Sequence, residues 1–149
     1  MNFKNKISIL EDYSRVTKQY PEIGFITSIC KSNEIVYQNC AGPIDINSAL
    51  PISSISKPML SCLLYKIGLL DKKTSIGEHL NVPDSFINLT VVELLDHCSG
   101  LPEYLYLPTD DEINSWSLDE AVEFIFKLKL KNKEFLYSNS NYVILTKLL

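Results

Sequence analysis

The chain has 149 residues, 46% of them hydrophobic, which is the length of one ordinary domain and enough apolar surface for a real core. Its 18 acidic and 14 basic residues leave a net charge of -4 and are scattered along the sequence. No basic stripe exists to neutralise phosphates, so nucleic acid is not an expected partner, and no apolar run is long enough to predict a transmembrane segment.

Met1-Asn2-Phe3-Lys4-Asn5-Lys6 is faintly basic, but Glu11-Asp12 interrupts Ile7-Ser8-Ile9-Leu10 before the apolar stretch of a signal peptide can form. A cytoplasmic location is the expectation. Cys30, Cys40, Cys62 and Cys98 show no Cys-x-x-Cys spacing, and without an oxidising compartment they are expected to be free buried thiols rather than a disulfide framework.

In chain order, Ile7, Leu10, Tyr13, Ser14, Val16, Thr17 and Tyr20 are spaced for one face of an amphipathic helix over residues 7–20, closed by Pro21. Two β-rich runs, Gly24 to Cys30 and Glu34 to Cys40, flank Lys31-Ser32-Asn33 and predict a hairpin. A turn-rich passage from Ala41 to Ser53 leads into a helix with Leu60, Leu63, Leu64 and Ile67 at i, i+3, i+4 and i+7, Pro58 in its first turn and Gly68 just past its end. Thr90-Val91-Val92-Glu93 and Ser117-Leu118-Asp119-Glu120 each open a further helix with a capping-box pattern. Leu101 to Trp116, with two prolines, predicts a long loop that could border a cleft. Asn141 to Leu149 reads as an apolar helix with no glycine, asparagine or proline to end it. The expected class is α+β in a single domain over 1–149, with a helix and antiparallel hairpin over 1–50 and a mainly helical region over 51–149. A lone hairpin is marginally stable, so those strands require more sheet or a helix to pack on.

Two Ser-x-x-Lys patterns occur, Ser28 to Lys31 and Ser54 to Lys57. On a strand, residues three apart project to opposite faces, so Ser28 and Lys31 cannot share a proton. On the lead-in to a helix they share a face, so Ser54 and Lys57 can cooperate. A serine hydroxyl is a poor nucleophile until a base takes its proton, and an ordinary lysine, with a reference pKa of about 10.4, is protonated at neutral pH. Such chemistry therefore requires a finished pocket, and a second hydroxyl such as Tyr137 could share the proton and hand it to a leaving group. The plainer reading of the motif taken alone is that Ser54 caps a helix, Lys57 is solvated and Tyr137 is a core aromatic. His97 stands beside Cys98, but the other histidine, His79, completes no ligand spacing. Both histidines read as structural, and no metal or other cofactor is expected.

Taken together, several segments in order resemble the serine β-lactamase and penicillin-binding protein family, especially its class C β-lactamase and esterase-like branch. Gly24 to Gly42 resembles the opening hairpin, and Ile52-Ser53-Ser54-Ile55-Ser56-Lys57-Pro58 the nucleophile segment. Lys66-Ile67-Gly68-Leu69-Leu70-Asp71 is similar to the segment after that helix. Leu94-Leu95-Asp96-His97-Cys98-Ser99-Gly100-Leu101-Pro102 resembles a non-catalytic signature, and Phe135 to Tyr142 contains the Tyr-x-Asn motif as Tyr137-Ser138-Asn139. The resemblance covers nearly the whole chain. It implies that Ser54 attacks a carbonyl carbon to form an acyl-enzyme and that Lys57 and Tyr137 manage its proton. It further implies that Asn139 bonds the substrate amide or the lysine, and that the Ser54 backbone N–H is one of two oxyanion donors.

Two departures from the family pattern stand out. Lys131-Asn132-Lys133-Glu134 replaces the Pro-Gly turn that often precedes the tyrosine motif, and no Lys-Thr-Gly or His-x-Gly follows before Leu149. The expectation is a C-terminally truncated, incomplete β-lactamase-like fold, weak or inactive as a hydrolase and prone to self-association or to pairing with a completing C-terminal segment. The implied substrates are small esters, D-alanyl peptides or β-lactams. A non-catalytic binding module, or a gene-fragment relic on the same scaffold, is the alternative.

Overall fold

The computed structural model describes residues 13–69, 74–107 and 116–149. The expected helix residues Ile7 and Leu10, the basic leader, Leu70-Asp71 of the segment after the serine helix, and Pro108 and Asp110-Asp111 of the long loop lie outside the described residues. The chain divides into two compact units, one ending at Pro51 and one running from Ile52 to Leu149.

The first unit contains helix α1 (Tyr13–Gln19) and an antiparallel hairpin of β1 (Phe25–Lys31) and β2 (Glu34–Ala41). The hairpin turn is only Ser32-Asn33, and both residues have positive φ, 49° and 71°. That is the backbone of a type I′ turn, whose twist matches the strands it joins. The register pairs Lys31 with Glu34 and Phe25 with Ala41, with one irregularity at Ile29/Cys30. Ser28 and Lys31 therefore lie on β1, in a different unit from Ser54.

The second unit is helical: α2 (Ser56–Lys66), α3 (Val91–Leu95), α4 (Leu118–Ile125) and α5 (Asn139–Lys147), joined through 3-10 turns at Ile76–Glu78, Asp84–Phe86 and Tyr104–Tyr106. The turn at Tyr104–Tyr106 lies within the expected loop from Leu101 to Trp116. Both expected capping boxes form: Glu93 N donates to Thr90 Oγ1 at 3.2 Å and Glu120 N to Ser117 Oγ at 3.3 Å, while the glutamates accept from the capping residues' own N–H groups. The core joins Leu64 of α2, Ile76 and Phe86 of the turns, Val91 and Leu94 of α3, Ile125 of α4, and Ile144 and Leu145 of α5. α5 packs against both α3 and α4, which makes it the central strut.

Two expectations need correction. Leu64 is buried, but Leu63 and Ile67 are 50% and 54% exposed. They continue Ile55 and Met59 at four-residue spacing as a second apolar face of α2, whereas the core takes only the Leu60 and Leu64 side. The cysteines are free, but none is buried; Cys30 and Cys62 are exposed.

What places the site is a seam between the segment after α3 and the segment before α5. Lys131 N donates to Gly100 O at 2.8 Å and Leu136 N to His97 O at 2.9 Å. Ser138 Oγ and Ser140 Oγ both donate to Pro102 O, at 3.1 and 2.6 Å, and Tyr104 N donates to Ser140 Oγ at 3.1 Å. Buried Ser99 donates its hydroxyl to buried Asn141 Oδ1. His97, in the left-handed region at φ 56°, turns its ring into the seam, where Nδ1 faces Ser138 N at 3.2 Å and Asn141 Nδ2 at 3.1 Å. Both neighbours are donors, so Nδ1 is the acceptor and the ring proton sits on Nε2.

Gly100 has φ 78°, and a Cβ there would lie 2.4 Å from Lys131 O. Gly100→Ala is expected to cost more than about 2 kcal/mol, because it combines a strained backbone with a backbone clash that breaks the seam; urea unfolding of the variant measures it. Burial, and then the Lys57 charge, hold the His97 pKa below its ordinary 6.5. The unfolded chain therefore takes up a proton at higher pH than the native one, so the histidine's contribution is complete above about pH 6.5 and is lost as pH falls toward its native pKa. His97→Asn tolerates the left-handed backbone and can still accept one bond. It is expected to lower stability at pH 8 by about 1 kcal/mol. Its curve should also be flatter than the parent's between about pH 5 and 7; parallel curves would remove His97 from the account.

Candidate active site

Ser54 sits in the 3-10 turn Ser53–Ile55 that runs directly into α2. The residue before it, Ser53, has φ 47°, a conformation that non-glycine residues adopt only under constraint. Ser56 Oγ donates to Ser53 O at 2.7 Å and helps hold it. Ser54 is not the cap of the helix; Ile55 precedes the first helical residue and no side chain caps it. The Ser54 hydroxyl is engaged elsewhere. Lys57 Nζ donates to Ser54 Oγ at 3.1 Å, one turn along the same face, and Tyr137 OH donates to it at 2.9 Å from across the seam.

Tyr137 and Asn139 flank Ser138, the N-cap of α5, whose hydroxyl accepts from Ser140 N. The alternation of an extended backbone around the cap sends Tyr137 toward Ser54 and starts the helix with Asn139. Asn139 Oδ1 accepts from Lys57 Nζ at 2.7 Å, so of the two partners that the family resemblance implies for Asn139, the lysine is the one it meets here. Lys57 Nζ also lies 5.1 Å from the Tyr137 ring centre and 5.4 Å from that of Tyr142, close enough for cation–π attraction from both. All four residues singled out in the sequence, Ser54, Lys57, Tyr137 and Asn139, thus meet at one point.

The Tyr137 ring is stacked on His97 at 4.5 Å and 29°, while 46% of the residue stays exposed, so it is not a core aromatic. Its pKa is lowered, first by the hydrogen bond from Lys57 and then by that with Ser54, because both stabilise the tyrosinate. A phenol whose anion is favoured next to a serine oxygen can take that oxygen's proton. The charge left behind lies beside the Lys57 ammonium. A cavity of about 530 Å3 opens beside these groups, lined by Ser54, Lys57, Leu60, Tyr104, Asn139 and Tyr142 among others. Among the described residues no cluster of three histidine, cysteine or acidic side chains is placed to hold a metal ion.

One residue of the site was missed in the sequence. Glu103 Oε2 accepts from Asn139 N at 2.6 Å and from Asn139 Nδ2 at 2.9 Å, while its Oε1 accepts from Leu105 N at 3.2 Å. A lone glutamate in a proline-containing loop gives no local signal of such a role. Only its place directly after Leu101-Pro102, within a segment already marked as distinctive, could have drawn attention to it.

Known proteins resemble this chain over part of their own length. The chain is 27% identical over 117 residues to penicillin-binding protein 4* of Bacillus subtilis (strain 168), a match covering 69% of this chain and 25% of that protein. It superposes on a putative β-lactamase from Bacteroides dorei DSM 17855 with a TM-score of 0.78 at 20% identity, covering 99% of this chain and 45% of that one. It also superposes on the octameric penicillin-binding protein homologue from Pyrococcus abyssi with a TM-score of 0.72 at 23% identity, covering 95% and 38%. The chain therefore spans a quarter of the curated relative and less than half of either solved structure. The two superpositions show that its α+β architecture is part of the β-lactamase fold. Residues 13–149 match the family model described as Beta-lactamase, and the chain belongs to that family.

Proposed function

We propose that this chain carries the acyl-transfer machinery of a serine hydrolase, in which Ser54 attacks the carbonyl of a β-lactam, D-alanyl peptide or small ester. The observation that carries the reading is the convergence of Lys57 Nζ and Tyr137 OH on Ser54 Oγ at 3.1 and 2.9 Å. Family membership supports the hydrolase lineage, and the penicillin-binding name of the curated relative favours β-lactam and peptide carbonyls over other acyl groups.

In the proposed sequence, Tyr137, as tyrosinate beside the Lys57 ammonium, accepts the Ser54 proton as Oγ bonds to the carbonyl carbon. The tetrahedral oxyanion is met by the Ser54 backbone N–H. Tyr137 then returns its proton to the departing nitrogen or oxygen, leaving an acyl-serine that water hydrolyses. Asn139 keeps the ammonium in place throughout. The Lys-Thr-Gly or His-x-Gly strand that the family resemblance associates with the second oxyanion donor is not among these 149 residues. Loss of one such donor costs about 10²–10³ in rate, so the 149-residue chain alone is expected to acylate slowly and to turn over little.

Intact mass spectrometry after exposure to a fluorophosphonate probe, and separately to a penicillin, tests this reading. An adduct that disappears in Ser54→Ala is expected; a folded chain that never acquires one would favour a non-catalytic binding module on the same scaffold. Tyr137→Phe is expected to slow labelling by about 10²–10⁴, the usual contribution of a positioned acid–base group. Labelling should quicken as pH rises through the lowered tyrosine pKa. Lys57→Met removes the charge that stabilises the tyrosinate, so it should move that rise to higher pH; an unmoved profile would count against Tyr137 as the base.

A further inference from the structure

We propose that Glu103 is a positioning residue of this site: by clamping Asn139 it fixes which way the amide faces, and so holds Lys57 between Ser54 and Tyr137. The inference rests on the reading of Ser54, Lys57 and Tyr137 given above, but its evidence is separate from theirs.

A carboxamide presents two donors on nitrogen and acceptor lone pairs on oxygen, and turning it over exchanges them at little intrinsic cost. At Asn139 the two neighbours leave no such freedom. Glu103 offers only acceptors, 2.9 Å from Nδ2, and the Lys57 ammonium offers only donors, 2.7 Å from Oδ1. The reversed amide would set oxygen against carboxylate and NH2 against ammonium. The same Oε2 takes the Asn139 backbone N–H at 2.6 Å, which anchors the carboxylate to the first turn of α5. From the other side, Leu105 N on Oε1 ties it to the turn Tyr104–Tyr106. Glu103 is thus held at three points, two of them backbone N–H groups, and the third bond, from Nδ2, selects a single orientation of the Asn139 side chain.

The consequence reaches the reacting atoms. Lys57 has three N–H donors on a flexible stem, and a carboxamide oxygen at fixed position is what selects the rotamer that also reaches Ser54 Oγ. Without the clamp the amide can rotate, and the ammonium follows water instead of the serine. Glu103 also acts at longer range, since its charge opposes that of Lys57 at Tyr137. The titratable groups facing the Tyr137 ring or hydroxyl are then Lys57 from α2, Glu103 from the loop and His97 stacked beneath.

Two substitutions separate clamp from charge. Glu103→Gln keeps a carbonyl oxygen that can accept from Asn139 N and Nδ2 but carries no charge; Glu103→Ala removes both. With 13Cζ-labelled tyrosine, the titration of Tyr137 followed by NMR is expected to move to lower pH in Glu103→Gln, because the opposing charge is gone while Lys57 stays in place. In Glu103→Ala it is expected to move to higher pH, because Lys57 is released. Equal shifts in the two variants, or none in either, would overturn the positioning role. Should Glu103→Ala fail to fold, the parent protein still decides: the Asn139 side-chain NH2, which donates to Glu103 Oε2, is expected to be protected from solvent exchange, and fast exchange of its protons with water would refute the clamp. None of these readouts requires acyl transfer, so a chain that fails to label at Ser54 while showing the opposed shifts would sink the catalytic reading and leave the clamp standing.

Discussion

The constraint on which the site depends is the placement of one ammonium group. Lys57 Nζ must lie within hydrogen-bond reach of Ser54 Oγ, yet a lysine side chain left to itself samples many rotamers and prefers water. α2 brings the two residues to one face but cannot choose among those rotamers. The choice is made from 82 residues away, by Asn139 Oδ1, and Asn139 is in turn held by Glu103 from a third segment. The short-range geometry of Ser-x-x-Lys becomes chemistry only through a long-range contact.

That contact exists because the seam between residues 97–104 and 131–141 is bonded so densely. Most of its partners are small polar side chains, Ser99, Ser138, Ser140 and Asn141, all essentially without exposure. Buried polar groups are costly unless paired, and among the described residues no buried side-chain nitrogen or oxygen lacks a partner. A seam made of apolar contacts could slide by an ångström at modest cost. One made of directional bonds cannot, and sub-ångström placement is what Tyr137 requires if its oxygen is to remain 2.9 Å from Ser54. His97 has two roles here, accepting from Ser138 N and Asn141 Nδ2 while its ring supports the face of Tyr137.

Much of this was legible in the sequence where the cause is local. The hairpin turn, both capping boxes, the helix after Ser54 and the glycine beyond it follow from residues within one turn of each other, and Ser54, Lys57, Tyr137 and Asn139 were carried by motif. What escaped was set by partners distant in sequence. Leu63 and Ile67 share helical spacing with Leu60 and Leu64, and periodicity alone cannot tell which of two adjoining apolar faces meets the core. Glu103 is an ordinary loop carboxylate until α5 is laid beside it. The 3-10 turns at Ile76–Glu78 and Tyr104–Tyr106 are tied by Ile76 N to Leu89 O and by Tyr104 N to Ser140 Oγ, contacts that no short window contains.

The exposed face of α2 has a further consequence for the site. Ile55 and Met59, 66% and 56% exposed, flank Ser54 and Lys57 in sequence, so the helix that presents the nucleophile is packed on the Leu64 side and open on the other. The core contacts of α2 are made by Leu60 and Leu64, which lie one to three turns beyond Ser54. The Ser54 turn lies at the N-terminal end of α2, attached through Lys57 and Tyr137 rather than through core side chains. The hydrogen bonds of the site therefore tie down the segment that bears the nucleophile as well as prepare its chemistry.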